Sequence, residues 1–570
     1  MEPEGIGMKL RHSIYSGCWV LLLSITSLAG AQQDADESHP LLAAYDRAAT
    51  IQAYVEDKWV LNQSVHPRWI DETSFWYERE TAEGKQFMRV DAERVRARPA
   101  FNHRTLARAL ARETDNEVEE SDLPITGVDI SQSAVTFSAF TKAWKFEKNR
   151  LTELEDGPAN PAWLVSPDGK RAVYAKAHNL WLKDLESGEE KALTSDGEMY
   201  YAYGAVPNAT GRPTVKPEAV WSPDSRYLLT AQTDDRQVKS LPVIDFAPAD
   251  GSIRPQVIDY RQALPGDEHV TQFRMTVIDT DSGKQSRIHY PDLAAVRMND
   301  TPVGGNRAWW SADSESVYFV DILRGEQEAR VVRASRDSGI AHIVFTEMTD
   351  TYLELGSNVY MPTSLVPLPE SNEFVWYSEK SGWAHLYLHD ADSGEEKRAL
   401  TSGEWLVRDV IGVDAKNREL FVSIGERRDD VNPYYREIAR VNLDSGDMTV
   451  LSSGDDDRFV YTQSDFSLLL LTIFGTDISK ISGLSPTGAY YVETRMRPDR
   501  PNSTVLLNAG GEEVMVVEQA KVNGMPEGQR WPEPFAVKGA DRTTDIRGVM
   551  FRPQDFDESK KYPVIDYIYG

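Results

Sequence analysis

Through the central part of the chain, short runs of alternating apolar and polar residues are separated by small polar turns, and the same order of turns keeps returning. Ser166-Pro-Asp-Gly169 leads into the run 171–175, then Leu180-Trp-Leu-Lys-Asp184, then Ser187-Gly188, then Lys191-Ala-Leu-Thr194. The order recurs at Leu386-Tyr-Leu-His-Asp390, Ser393-Gly394 and Arg398-Ala-Leu-Thr401. A period of two marks a half-buried strand, and Gly, Pro, Asp and Ser at the breaks supply turn chemistry. The Ser-Gly turns place serine at 187, 282, 338, 393 and 445, in steps of 95, 56, 55 and 52. The long first step holds one repeat plus an acidic, proline-containing insertion over 233–269. A repeat of about fifty residues built from four short strands predicts an all-β fold, a β-propeller of about eight four-stranded blades that bury their faces against one another.

The pattern changes at both ends. Residues 41–60 and 104–112 carry helical spacing, and a helical lead-in over 32–68 is expected before a propeller over 69–520. In 521–570, the run 548–553, a charged connector and Val564-Ile-Asp-Tyr-Ile-Tyr569 predict the opening strands of an α/β domain, because a nearly continuous apolar strand suits a sheet covered on both faces. At the amino terminus, Lys9 and Arg11 precede an apolar segment over 18–28 and then Ala29-Gly30-Ala31. That is the layout of a cleavable signal peptide, 1–31, and the segment is too short to span a bilayer. Cleavage would take away Cys18, the chain's one cysteine, and with it any disulfide, cysteine nucleophile or thiolate metal site. Export to a periplasm or the extracellular space is the expectation, with no membrane span after signal removal.

Composition sharpens this. The 570 residues hold 62 Lys+Arg against 90 Asp+Glu, a net charge of -28, and no basic cluster stands out. Nucleic acid is therefore not an expected partner. With 41% hydrophobic and 10% aromatic residues the chain can bury a large core. Asn62, Asn208, Asn299 and Asn502 begin Asn-x-Ser/Thr sequons, which would matter only in a eukaryotic secretory pathway.

Several segments then converge on one family. Val220-Trp-Ser-Pro-Asp-Ser225, Trp376-Tyr-Ser-Glu-Lys-Ser-Gly-Trp-Ala-His-Leu-Tyr-Leu388, Leu400-Thr-Ser-Gly-Glu-Trp405 with Gly412-Val-Asp414, and Lys561-Tyr-Pro563 resemble the dipeptidyl-peptidase IV branch of the prolyl oligopeptidase serine peptidases, over about residues 41 to 570. The resemblance implies an eight-bladed propeller followed by an α/β-hydrolase domain with a Ser-Asp-His triad, and cleavage of short peptides after proline or alanine. It also implies that Tyr569, by its distance from Tyr562-Pro563, would donate to the oxyanion of the tetrahedral intermediate. The paired glutamates with which the family's aminodipeptidases hold a substrate's free amino group have no counterpart in Asp196-Gly-Glu-Met-Tyr-Tyr-Ala-Tyr203. Glu198 is the nearest acid, either as a substrate-binding group or as a solvated loop carboxylate.

The remaining candidates read as structural. A hydrolase nucleophile sits in Gly-x-Ser-x-Gly, and the 570 residues hold no such pentapeptide. Gly483-Leu-Ser485-Pro-Thr-Gly488 comes nearest, but its Ser485 has the grammar of a blade turn. The triad is expected beyond Gly570. His385 and His389 share a strand face at a spacing of four, yet the zinc-peptidase pattern needs a helix and a Glu after the first His, where Leu386 stands. Trp309-Trp310 reads as core. No metal and no cofactor is expected. The expected function is thus the propeller portion of a secreted serine peptidase, gating peptides with a free amino terminus and inactive by itself, with a homodimer possible. The alternative is a non-catalytic periplasmic propeller that binds a protein or peptide.

Overall fold

The structure, a computed structural model, describes residues 59–154, 162–205, 216–248, 251–296, 301–356, 363–462, 480–525, 527–554 and 556–568, together with Leu42 and Tyr45. The expected signal peptide lies outside the described residues, as does most of the expected lead-in helix.

Among the described residues, eight antiparallel sheets follow one another along the chain, seven with four strands and one with six. We number them as blades 1 to 8: 68–99, 126–154, 164–192, 201–294, 308–348, 366–399, 406–452 and 457–519. This is the expected propeller. In the seven four-stranded blades the strands are paired in chain order, so each of these blades is a local meander. Blade 4 keeps the same four ranks. Tyr201–Tyr203 and Ala219–Trp221 both lie on one side of Tyr227–Asp234, and Gln285–Arg287 and Leu293–Ala294 both lie on the far side of Gln272–Asp279. Its long insertion is a hairpin, Ser240–Asp245 with Gln256–Arg261, that exposes Phe246, Ile253 and Val257.

The repeated turns explain themselves at atomic level. In the first kind, Ser166 Oγ donates to Asp168 at 2.6 Å and accepts from Arg171 N at 3.0 Å, while Gly169 closes the turn at φ +73°. In the second kind, Asp184 Oδ1 accepts from Ser187 N at 2.7 Å and Gly188 N bonds back to Asp184 O at 2.9 Å with φ +75°. Both are side-chain-to-backbone turns completed by a left-handed residue. They lie at one end of the strands. The other end carries the irregular segments: 196–200, the hairpin, 378–384, 426–435 and 453–456.

Between neighbouring blades the core is divided into separate apolar clusters, and those cover seven of the eight seams. The seam between blades 1 and 2 is filled by helix α1, His103–Thr114, capped by the Asn102 side chain, which accepts from Thr105 N at 2.9 Å. Leu106 and Leu110 of this helix are wholly buried among Trp76, Phe137, Trp144 and Phe146, a burial worth about 1.5–3 kcal/mol for each leucine. Blade 8 meets blade 1 through Phe75, Tyr77, Val90, Val492 and Leu506, and Trp69 Nε1 donates to Ser482 O at 2.9 Å. The pair Val60–Leu61 with Lys521–Val522 lies beside this closure.

After the ring, Glu533–Lys538 pairs with Asp545–Met550. The apolar run from Val564, expected as a buried strand, has no ladder over its described residues, and Ile565 is 93% exposed. A strand exists only through its neighbours, and among the described residues none lies beside this one.

Candidate functional site

Glu198, the candidate binding carboxylate, lies at the irregular end of the ring, and loops held on a rigid scaffold are the usual seat of function. Segment 196–203 enters blade 4 there. Glu198 and Tyr201 exchange backbone hydrogen bonds at 2.9 Å, a tight turn that needs Tyr200 at φ 66°. Glu198 is 63% exposed at its side chain and is paired with Arg236 at 3.3 Å. Arg236 is itself held in place: it forks onto Asp234 at 2.9 and 2.7 Å and lies over the Tyr201 ring, 3.8 Å from its centre. The bond to Asp234 raises the Arg236 pKa above its ordinary value. Burial works against the Asp234 charge, but Arg236 prevails and keeps its pKa below the usual carboxylate range.

Two further arginines complete the group. Arg261, from the hairpin, stacks over Tyr200 at 4.2 Å and donates to Val238 O at 2.8 Å. Arg274 bonds the Tyr201 hydroxyl and pairs with Asp292 at 2.9 Å. Asp196 accepts from the Tyr203 hydroxyl at 2.9 Å, and burial followed by that carboxylate pushes the Tyr203 pKa up. The structure therefore brings Glu198 together with a guanidinium, and an arriving ammonium would have to compete with Arg236 for it. Arg236 and Arg261 were not found from sequence. They lie well downstream in the insertion, where no repeat marks them, and the one available signal was the presence of arginines in an otherwise acidic segment.

The other candidates resolve as follows. Ser485 forms a blade turn: its Oγ accepts from Tyr490 N at 3.1 Å, and Gly488 N donates to Ser485 O at 3.0 Å. His385 is buried between Thr401 Oγ and Gly403 O, both at 3.0 Å. His389 is stacked on Phe374 and bonded to Gly394 O at 3.0 Å. Burial lowers the pKa of both imidazoles. Among the described residues no group of three or more His, Cys, Asp or Glu is placed to hold a metal ion. Trp310 belongs to the cluster between blades 4 and 5, and Trp309, stacked on Tyr318, to that between blades 5 and 6. Tyr569 lies outside the described residues.

The geometry has matches among known proteins. A solved structure of Porphyromonas gingivalis dipeptidyl peptidase 4 superposes with a TM-score of 0.60 at 17% identity, covering 90% of this chain and 68% of that one. A putative dipeptidyl aminopeptidase IV from Bacteroides ovatus gives 0.61 at 17% identity, covering 88% and 67%. Among curated proteins, a probable dipeptidyl peptidase 4 of Arthroderma benhamiae is 23% identical over 446 residues, 74% of this chain and 51% of that protein. A probable dipeptidyl-aminopeptidase B of Aspergillus fumigatus is 24% identical over 468 residues, 75% and 46%. The chain thus spans about half the length of the curated relatives it matches. The family model described as the dipeptidyl peptidase IV (DPP IV) N-terminal region matches residues 133–479, more than half of the chain, and the chain belongs to that family.

Proposed function

We propose that this chain is the propeller portion of an exported serine peptidase that removes short units from the amino terminus of peptides, after proline or alanine, and that the ring screens which peptides reach the nucleophile. Family membership carries the reading: the matched stretch forms most of an eight-bladed ring, and the curated relatives are named as dipeptidyl peptidases. The leader pattern in 1–31 supports export. The acidic balance supports peptides with a free amino terminus, which a net charge of -28 attracts at long range. Tyr569 is proposed as an oxyanion donor, a role worth about 3–4 kcal/mol where such donors are preorganised. Residues 1–570 by themselves are expected to turn over no Xaa-Pro or Xaa-Ala chromogenic dipeptide and to take up no fluorophosphonate. Turnover that co-purifies with a labelled serine in this segment would refute that expectation.

The register of cleavage is less strict in this reading than in an enzyme with a free carboxylate pair. The observation is Arg236 on Glu198, which favours an exopeptidase or oligopeptidase of broader register. A peptide-library digest by the intact gene product separates the two, since a strict dipeptidyl enzyme releases dipeptides alone. A homodimer is also proposed, supported by Phe246, Ile253 and Val257 on the exposed hairpin. Light scattering should show a dimer that Phe246→Asp converts to monomer.

A further inference from the structure

Among the described residues, the seam between blades 2 and 3 is the one that no apolar cluster fills. The strand alternation shows why. In blade 2, Val135, Phe137, Trp144 and Phe146 all turn toward helix α1 and blade 1, which leaves Thr136, Ser138, Lys145 and Glu147 on the side facing blade 3. In blade 3, Val173, Leu180 and Leu182 turn toward blade 4. The side facing blade 2 is therefore that of Trp163, Tyr174, Trp181 and Lys183. An aromatic wall stands opposite a polar one, and apolar burial needs both walls. The three rings stay half-buried, and two of them are covered by ammonium groups of their own blade: Lys176 Nζ lies 4.5 Å over Trp181 and Lys183 Nζ 5.2 Å over Trp163.

A second observation agrees. In blades 5, 6 and 8 the Ser-Gly or Gly-Gly turn presses on the outer strand of the preceding blade. A Cβ at Gly339 would sit 2.2 Å from Arg287 O, at Gly394 1.8 Å from Val344 O, and at Gly511 2.3 Å from Leu451 O. At Gly188 of blade 3 the same Cβ would meet nothing within 4 Å; Gly283 of blade 4 is equally open, but there an apolar cluster fills the seam with blade 3. Blade 3 does not clamp blade 2.

We infer that the ring separates locally at the seam between blades 2 and 3, with every blade remaining folded. Each blade is a complete hydrogen-bonded sheet, so parting two of them breaks no ladder. A local opening that exposes little apolar surface lies well below global unfolding in free energy. The rest of the ring, including its closure between blades 8 and 1, holds through the filled seams.

The test uses buried alanines as reporters in a Cys18→Ser background. Ala143 of blade 2 and Ala172 of blade 3 are buried on the two facing sides, and Ala439 of blade 7 is equally buried in the filled seam with blade 6. Each is changed to cysteine, and thiol modification is followed under native conditions beside the Tm of each variant. Ala143→Cys and Ala172→Cys should react at least tenfold faster than Ala439→Cys at matched Tm. Equal rates for all three would overturn the inference. Should one reporter fail to fold, the other wall still decides the result.

Discussion

At the scale of single residues, His389 shows how a side chain with catalytic potential becomes part of the core. Its ring is stacked on Phe374, edge-on to Phe345, and tied by Nδ1 to Gly394 O, the carbonyl of the Ser-Gly turn. Burial is the main cause that lowers its pKa, with the Gly394 bond and Glu396 opposing and Lys380 assisting. The unfolded chain therefore binds a proton more readily than the folded one. Stability from this group is complete above the unfolded value of about 6.5 and falls as pH drops from there toward the lower folded value. His389→Phe should flatten that decline while costing about 1 kcal/mol at pH 8 for the lost hydrogen bond. Chemical unfolding at pH 5 and pH 8 reads both, and an unchanged pH slope would assign the acid sensitivity to other groups. Glu198 shows the opposite limit of sequence reading: its identity was legible, but its partner Arg236 sits 38 positions away, and pairing over that distance is a property of the fold.

At the scale of elements, the two turn types were legible because their chemistry is local. Ser166, Ser222 and Ser311 each bond an Asp two places on, so the motif carries its own hydrogen bonds wherever it occurs. The interruption of blade 4 was legible only as an insertion. Nothing periodic in 233–269 announces a hairpin, since its apolar residues point to solvent and lack the core that would impose alternation. The apolar run from Val564 read as a buried strand because composition registers hydrophobicity and not the neighbour that must cover it. The turns also predict unequal tolerance. Gly188→Ala should cost about 1–2 kcal/mol, the price of a left-handed backbone alone. Gly394→Ala, at nearly the same φ of +71°, should cost about 1–3 kcal/mol more, because its methyl meets the Val344 carbonyl of the neighbouring blade. Urea midpoints that shift equally for the two variants would show that the contact between blades adds nothing.

At the scale of the molecule, stability is spread over seams of different quality. Phe75 is wholly buried where blade 1 meets blade 8, and Phe75→Ala should cost about 3–5 kcal/mol. Trp181→Ala removes a larger ring but should cost less, since that ring is half in water already; equilibrium unfolding that ranks them the other way would show the seam between blades 2 and 3 to be as tight as the rest. The closure between blades 8 and 1 has a kinetic consequence. Among the described residues neither end supplies a strand to the other's blade: all four strands of blade 1 come from 68–99, one backbone bridge joins Arg68 to Ile481, and its side-chain bonds to blade 8 join residues separated by 413 to 441 positions. Each blade can therefore form as soon as its own stretch has left the ribosome, with short loops to close. Ring formation is then a late docking of finished parts, and a released chain that ends before residue 457 should already hold seven protease-resistant sheets without yet being a circle.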